Sequence, residues 1–370
     1  MTARSKLPAV ARDEHFMRAA LAMAAPMLGR TAPNPAVGCV IVQGDRIVGH
    51  GATAPGGRPH AETQAIADAG PRARGATAFI SLEPCAHQGQ TPPCARALIE
   101  AGVARVVVGC RDPYPLVRGR GLAILRRAGI SVTLGVLEDA CLRLNQGFIT
   151  RVTRGRPFTI LKLATTLDGR IATASGDSRW ISSAAARVIV HRWRGECDAV
   201  MVGAGTVIAD NPRLTCRLPE GRDPARVIVD TQLRCDPVSR VFRQRSPAPT
   251  IIATTPQNLS RAAARYGKRV ELIAVPPARD GIDVALLMRE LAGRGWSRVL
   301  LEGGARLAGA ALRAKVVDRV AFFVAPKLLG GGRSAVDGLT PRTMRDALHL
   351  INLSASQVGS DWLLEGDLIA

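Results

Sequence analysis

Residues 59–70 read PHAETQAIADAG and residues 82–102 read LEPCAHQGQTPPCARALIEAG. The first is a run of good helix formers from His60 to Ala69 that stops at Gly70. The second puts a cysteine just after an apolar strand pattern, Ala76–Leu82, and another at the start of a helical pattern, Cys94–Ala101. A further apolar run, Val103–Gly109, follows directly. Strand, loop, helix and strand thus alternate within thirty-odd residues.

The same alternation extends outward. Residues 13–25 have a helical pattern. Gly38–Val42 and Arg46–Gly51 form a hairpin pattern around the turn residues Gly44 and Asp45. Gly121–Ala128 reads as a helix and Ile130–Leu134 as a last strand. Units of this kind predict an α/β sandwich with a central sheet.

Arg151–Pro157 (RVTRGRP) is charged, contains Gly155 and Pro157 and lacks periodicity, so it is the expected linker. Residues 1–150 then form one domain and residues 151–370 a second α/β domain of ordinary size. Its expected strands are Phe158–Ala164, Ala199–Val202, Arg226–Asp230, Thr250–Thr254, Val270–Val275, Arg298–Leu301 and Val317–Ala325. Helical patterns at Ala184–Arg194 and Val284–Gly293 lie between them.

Composition narrows the class of function. The formal net charge is +20, which suits anionic partners. Aromatic residues are only 4% and the basic residues are scattered, so small phosphorylated substrates fit better than nucleic acid. The eight cysteines lie in a long chain without a secretory pattern, which argues against a disulfide framework. No stretch reaches the roughly eighteen apolar residues of a membrane span. A cytoplasmic protein is expected, without nucleic-acid or membrane partners, working as a homo-oligomer.

The cysteine stretch carries the chemistry. Catalytic zinc takes three protein ligands and leaves a fourth place to water. His60, Cys85 and Cys94 make such a set. Glu62 is two positions from His60, too close to be a second ligand from the same helix face, and can shuttle a proton between that water and a leaving amine. Zinc deaminases of nucleobases carry an H-x-E…P-C-x-x-C signature in which Glu is not a ligand. Here eight residues separate the cysteines. A structural zinc closed by His87 as fourth ligand stays open as an alternative.

Taken together, several segments are similar to the bifunctional riboflavin-biosynthesis deaminase/reductase family. Cys85-Ala86-His87-Gln88-Gly89-Gln90-Thr91-Pro92-Pro93-Cys94 resembles its P-C-x-H-x-G-x-T-P-P-C segment, and Asn34-Pro35-Ala36-Val37-Gly38 its N-P-x-V-G segment. Lys162–Ala172 (KLATTLDGRIA), Gly176–Ile181, Val202–Val207, Asp210–Thr215 and Glu302-Gly303-Gly304 follow in the family's order. The resemblance implies a cytidine-deaminase-like α/β/α sandwich followed by a dihydrofolate-reductase-like α/β domain. It also implies two consecutive reactions. The first is hydrolytic deamination of 2,5-diamino-6-ribosylamino-4(3H)-pyrimidinone 5′-phosphate with one zinc ion per chain. The second is NADPH-dependent reduction of the ribosyl chain, giving 5-amino-6-(5-phospho-ribitylamino)uracil.

Site residues carry over by position. Asn34 and His87 would contact the pyrimidine; an amide at Asn34 can pair with a carbonyl/amine edge. Ala164, Trp180, Thr206, Asp210, Thr231 and the loop Gly304, Ala305, Arg306, Leu307, Ala308, Gly309 and Ala310 would hold NADPH. Ser178, Arg194, Leu214, Arg217 and Glu302 would hold the sugar phosphate, with Arg194 and Arg217 as guanidinium forks. Lys162, Asp210 and Glu302 are the candidates for supplying a proton during hydride transfer.

Two positions depart from the family pattern: Gln90 replaces a basic residue and Tyr114 an asparagine, which puts the deaminase site's grip on phosphate in question. Arg120 is a candidate substitute. From the residues alone, the second half has glycines after strands, at Gly203, Gly205, Gly303 and Gly304, suited to close approach of a pyrophosphate. It lacks the G-x-G-x-x-G fingerprint of a standard dinucleotide fold. The rival readings are a deaminase of RNA bases with a basic RNA-binding half, and a non-catalytic zinc protein that binds a partner; retained Glu62 speaks against the latter.

Overall fold

The computed structural model describes residues 8–88, 92–279 and 281–369. The chain divides into two compact units, Met1–Gly155 and Arg156–Ala370.

In the first unit the elements run α1 (Ala9–Ala24), β1 (Gly38–Gln43), β2 (Arg46–Ala52), α2 (Ala61–Ala69), β3 (Thr77–Leu82), α3 (Cys94–Glu100), β4 (Arg105–Cys110), α4 (Arg120–Arg127), β5 (Ser131–Leu134) and α5 (Glu138–Arg154). Among the described residues, the sheet order is β2-β1-β3-β4-β5. The β1–β2 hairpin and the β1–β3 pair are antiparallel; β3, β4 and β5 run parallel.

Adjacent residues of β1 face opposite sides of the sheet. On one side a Cβ at Gly38 would stand 1.8 Å from the Ala20 carbonyl of α1. On the other, Cβ atoms at Gly49 and Gly51 of β2 would stand 2.3 Å and 2.4 Å from the carbonyls of Ala65 and Ala61. Helix α2 therefore lies directly on the backbone of β2, through Ala61, Ala65 and Ala69, all buried. This close approach fixes where the start of α2 points. Helices thus cover both faces, and a core of Val40, Ile41, Phe79, Ile80, Val107 and Leu125 fills the space between. The cytidine-deaminase-like sandwich expected from the resemblance is the observed arrangement.

Helix α5 has no counterpart among the expected elements. Its buried positions are Cys141, Asn145, Gly147 and Thr150, small or polar residues that produce no apolar stripe. The expected linker Arg151–Pro157 is also corrected. Arg151–Arg154 form the last turn of α5, and Gly155 ends it in a left-handed conformation (φ 64°). Arg156 then pairs with buried Asp318, Nη1 to Oδ2 at 2.6 Å and Nη2 to Oδ1 at 2.7 Å. The arginines of this stretch serve a helix end and a buried carboxylate instead of a linker.

The second unit runs β6 (Phe158–Thr166), β7 (Arg170–Ala172), α6 (Ala184–Glu196), β8 (Ala199–Gly203), α7 (Ala204–Asp210), β9 (Ala225–Val229), α8 (Arg240–Arg243), β10 (Thr250–Thr254), α9 (Leu259–Tyr266) and β11 (Glu271–Ala274). It continues with β12 (Pro277–Ala278), β13 (Gly281–Ile282), α10 (Val284–Gly293), β14 (Arg298–Glu302), α11 (Ala305–Arg313), β15 (Arg319–Ala325), β16 (Arg333–Ser334), β17 (Leu350–Val358) and β18 (Asp361–Leu368). Among the described residues, nine strands form one sheet in the order β11-β10-β9-β8-β14-β6-β15-β18-β17. From β11 to β15 neighbours are parallel; β18 and β17 add an antiparallel hairpin at the edge.

Strand β14 inserts between β6 and β8, so the winding reverses there. In open α/β sheets such a reversal, at the carboxyl ends of the strands, is where ligands bind. Three buried clusters line the two faces, around Leu161 and Leu301, around Val202 and Ile252, and around Phe323 and Leu363. The terminal hairpin was not expected. Every inner position of β17 is exposed, so its sequence, LINLSASQV, shows no buried face.

Candidate functional site

The first site is built at three element ends. His60 is the residue just before α2, Cys94 is the first residue of α3, and Cys85 follows β3. The Nδ1 atom of His60 lies 3.2 Å from Cys94 Sγ and 3.7 Å from Cys85 Sγ. The three ligand atoms all fall within 4.8 Å of one another. Donors on a tetrahedral zinc, with bonds of about 2.0–2.3 Å, stand about 3.5–3.8 Å apart. The set has the right identity and the right spread for zinc.

Charge supports the same fit. The Cys94 thiol donates to Cys85 and, with His60, holds the Cys85 thiol down to about 4 against the effect of burial. The Cys94 backbone N–H donates to Cys85 Sγ as well, at 3.2 Å. Cys94 in turn is pushed far up by its bond to Cys85, by burial and by Glu62. Two thiols thus share one proton at a point where a dication would displace it.

Glu62 sits in the first turn of α2 and is buried. Burial, reinforced by the Cys85 charge and opposed by His60, raises its carboxyl to about 7. A carboxyl poised near neutrality can both accept and return a proton. His87 is not among the three clustered donors; its Nδ1 is buried and has no hydrogen-bond partner among the described residues. That removes the support for a closed four-ligand site. Its ring stands edge-on to Tyr114, with centroids 6.2 Å apart. Asn34 Nδ2 donates to the Gly57 carbonyl at 2.8 Å, which fixes its amide and leaves Oδ1 as an acceptor. Gln90, with Gly89 and Thr91, lies outside the described residues. Arg120 opens α4 and is exposed.

The sequence reading missed Glu83, which precedes Pro84 and Cys85. It is buried, and its carboxylate accepts N–H bonds from Gly119 (3.0 Å), Asp112 (3.4 Å) and Leu122 (3.4 Å). It ties the mount of Cys85 to the start of α4, where backbone N–H groups favour an anion. The motif Glu-Pro-Cys was its only trace in sequence.

The second site lies at the winding reversal of the nine-stranded sheet. Lys162 of β6 and Glu302 of β14 are register partners. Glu302 is gripped by Arg194, Nε to Oε1 at 2.6 Å and Nη2 to Oε2 at 2.8 Å. Asp210, the last residue of α7, accepts from Ser178 Oγ at 3.5 Å. Burial lowers the Lys162 amine, partly offset by Glu302 and, more weakly, Asp210. Burial raises Asp210, against Arg179, Ser178 and Lys162. For Glu302 burial is outweighed by Arg194 and Lys162, and its carboxyl lies below the usual value.

Two expectations change here. Arg194 is not an open phosphate fork: it is buried, and three of its donors go to Glu302 and to the Thr215 carbonyl at 3.1 Å. Glu302, held as an ionised partner of Arg194, is no proton source. The reason is common to both. A buried charge is stable only when paired, so the two side chains consume each other's hydrogen-bonding capacity.

Residues Gly304–Ala310 are likewise not a loop. Gly304 precedes α11, and Ala305–Ala310 are helical. Leu307, Ala308 and Gly309 are buried, and a Cβ at Gly309 would meet the Asp337 carbonyl at 1.7 Å. Only the first turn, Gly304, Ala305 and Arg306, faces outward, with Ala310 half-buried further along. Sequence could not separate a glycine-rich loop from a glycine-containing helix packed tightly on its neighbour.

A cradle remains where NADPH is expected. Gly303 (φ 65°) and Gly304 (φ 83°) have backbone conformations L side chains rarely adopt. Cβ atoms there would stand 3.6 Å and 3.2 Å from Thr206 Oγ1. Thr206 lies in the first turn of α7, at the end of β8, and β8 neighbours β14. Two helix starts with small residues thus adjoin, an arrangement suited to a pyrophosphate. Ala164 continues β6 two residues past Lys162. Trp180 is 66% exposed, with the Arg187 guanidinium 4.6 Å from its ring centre. Thr231 follows β9, its carbonyl accepting from Asn258 Nδ2 at 2.7 Å. Leu214 is buried with φ 58°, and Arg217, three residues further along, is exposed.

Both units match known protein families. Residues 10–110 match the cytidine and deoxycytidylate deaminase zinc-binding region, and residues 157–364 match the RibD C-terminal domain. The riboflavin biosynthesis protein RibD of Synechocystis sp. is 43% identical over 358 residues, 96% of each chain. That of Escherichia coli is 42% identical over 332 residues, 86% of this chain and 89% of the other. A crystal structure from Thermotoga maritima, a diaminohydroxyphosphoribosylaminopyrimidine deaminase/5-amino-6-(5-phosphoribosylamino)uracil reductase, superposes with a TM-score of 0.87 at 40% identity. It covers 97% of this chain and 99% of its own.

Proposed function

This chain belongs to the RibD family of riboflavin-biosynthesis enzymes, and on that footing we propose which of its residues carry the two reactions. It is a bifunctional enzyme: a zinc-dependent deaminase, a hydrolase, joined to an NADPH-dependent reductase. The observation that carries the reading is the cluster of His60, Cys85 and Cys94 beside a buried carboxyl, Glu62.

The first unit, residues 1–150, is assigned the deamination. His60, Cys85 and Cys94 would hold zinc, which when bound makes water a nucleophile at neutral pH. Replacing a ring amino group by oxygen consumes one water and releases one ammonia. Glu62 takes a proton at the water oxygen and returns it to the departing nitrogen. Asn34 Oδ1 and His87 meet the pyrimidine edge.

Residues 151–370 are assigned the reduction. Converting a ribosyl to a ribityl chain adds a hydride, supplied by NADPH, and a proton. Lys162 is the group we assign to the proton, since burial weakens its hold on it and Glu302 anchors it in register. Asp210 acts beside it. Thr206, Gly304, Ala305 and Arg306 receive the cofactor's phosphates; Ala164, Trp180 and Thr231 border it. Ser178, Leu214 and Arg217 meet the sugar phosphate.

The reading extends to a cytoplasmic homo-oligomer. Among the described residues no helix is long and apolar enough to cross a membrane. Exposed Ile351, Leu353, Trp362 and Leu364 on the terminal hairpin leave apolar surface for another copy. The test of function couples metal analysis, ammonia release and NADPH oxidation on one purified sample. Glu62→Gln should retain zinc, abolish ammonia release and keep NADPH oxidation with deaminated substrate. Turnover of RNA alone, or undiminished ammonia release in Glu62→Gln, would overturn it.

A further inference from the structure

We propose that His191 is a positioning residue of the reductase: it holds the Arg217 guanidinium so that its free edge meets the phosphate of the substrate. The proposal rests on the assignment of Arg217 to that phosphate and adds the residue that aims it.

Helix α6 starts at a Ser183 cap, whose hydroxyl accepts from the Ala186 N–H at 3.2 Å. His191 and Arg194 are three residues apart and so share one face of it. Both donate to the same acceptor, the Thr215 carbonyl, each at 3.1 Å. A carbonyl can only accept, so the proton of a neutral His191 ring is on Nδ1. Nε2 is then a lone pair, and Arg217 Nε–H donates to it at 3.1 Å. The tautomer is fixed on one side of the ring by the loop and read on the other by the arginine.

Among the described residues the contact uses Nε and leaves both Nη groups of Arg217 for an incoming ligand. Paired N–H groups on that edge match two oxygens of a phosphate. The surroundings favour an anion. Burial and the charges of Arg194, Arg213, Arg240 and Arg187 all oppose the charge on Arg217. Of these, Arg194 is neutralised by Glu302. An exposed arginine in so positive a setting swings outward unless tethered. A neutral acceptor tethers it without cancelling the charge that the phosphate needs, which a carboxylate in the same place would do. The loop itself is clamped to α6, since Cys216 Sγ–H donates to the His191 carbonyl at 3.1 Å.

The test compares wild type, His191→Leu and His191→Gln in the full-length protein. Substrates are the deaminated phosphoribosylaminopyrimidine and its dephosphorylated form, and NADPH affinity is measured alongside. A hydrogen bond to a charged group contributes roughly tenfold or more in binding. His191→Leu should therefore raise KM for the phosphorylated substrate about tenfold with kcat nearly unchanged, the signature of lost ground-state binding. With the dephosphorylated substrate the variant and wild type should be equal. His191→Gln, whose amide oxygen can replace Nε2 as acceptor, should recover most of the loss. Equal damage by Leu and Gln, an effect that persists without the phosphate, or a parallel loss of NADPH affinity would make His191 a packing residue and overturn the proposal. If wild type itself shows no dependence on the phosphate, it is the assignment of Arg217 that fails first, and the role of His191 with it.

Discussion

Arg194 and Glu302 meet as a two-pronged ion pair with both side chains buried, one bond of 2.6 Å and one of 2.8 Å. Removing one partner of such a pair strands the other charge and costs about 3–5 kcal/mol, whereas replacing both by apolar residues costs much less. Arg194→Leu and Glu302→Leu should each lower the stability of the second unit by that amount at pH 7. The double variant should be more stable than either. Urea unfolding followed by a probe in this unit checks it; single losses below about 1 kcal/mol would contradict a buried pair. The pH dependence follows from the sign of the shift. Glu302 lies below its usual value in the folded chain, so its contribution is complete above about pH 4.5 and fades as pH falls through the folded value.

The second prediction concerns metal. Cys85 and Cys94 share a proton that a dication displaces, and a serine hydroxyl does not ionise near neutrality. Cys94→Ser should lose most bound zinc, measured by plasma emission, and ammonia release with it. NADPH oxidation on deaminated substrate should continue at the wild-type rate. Full zinc content in the variant would remove Cys94 from the ligand set.

Asp112 gives a pH test of the first unit. It is 6% exposed, and burial pushes its carboxyl up to about 6, opposed by the Tyr114 N–H and reinforced by Glu83. A folded value above the unfolded one means that the native state binds the proton more tightly. Stability is then greatest below about pH 4 and declines as pH rises to about 6, by on the order of 2–3 kcal/mol. Asp112→Asn keeps an oxygen for the Tyr114 N–H bond of 2.8 Å and abolishes the titration. Its urea midpoint should fall less between pH 5 and pH 7 than that of wild type, since Glu62, also raised, still titrates there, and it should unfold later than wild type at pH 7. A wild type whose midpoint rises over that range would refute the shift.

Much of this was legible because the chemistry needs few, distinctive residues. His60, Glu62, Cys85 and Cys94 are rare types at element ends, and buried strands such as Thr250–Thr254 are plain apolar runs. What stayed hidden depends on packing partners far along the chain. Helix α5 buries Asn145 and Thr150, which look like surface residues. The tie from Glu83 to Gly119 spans 36 positions and that from Arg194 to Glu302 spans 108, and neither has a local pattern. His191 was invisible for another reason: a lone histidine on a helix gives no sign of which tautomer it adopts or which arginine it holds.

Gly57 supplies the last prediction, because it separates strain from contact. Its φ of 87° costs any L residue about 1–2 kcal/mol. A Cβ there would also lie 2.3 Å from Asn34 Nδ2 and 2.7 Å from Asn34 Cβ, displacing the amide that the Gly57 carbonyl now fixes. Gly56 has a similar φ of 76° with nothing within 4 Å of its Cβ position. Gly56→Ala should therefore cost stability alone. Gly57→Ala should cost similar stability and, in addition, raise the deaminase KM about tenfold through loss of a hydrogen bond to the ring. Zinc content should stay at wild-type level in both, since neither residue is a ligand. Equal KM values in the two variants would show that Asn34 does not read the pyrimidine.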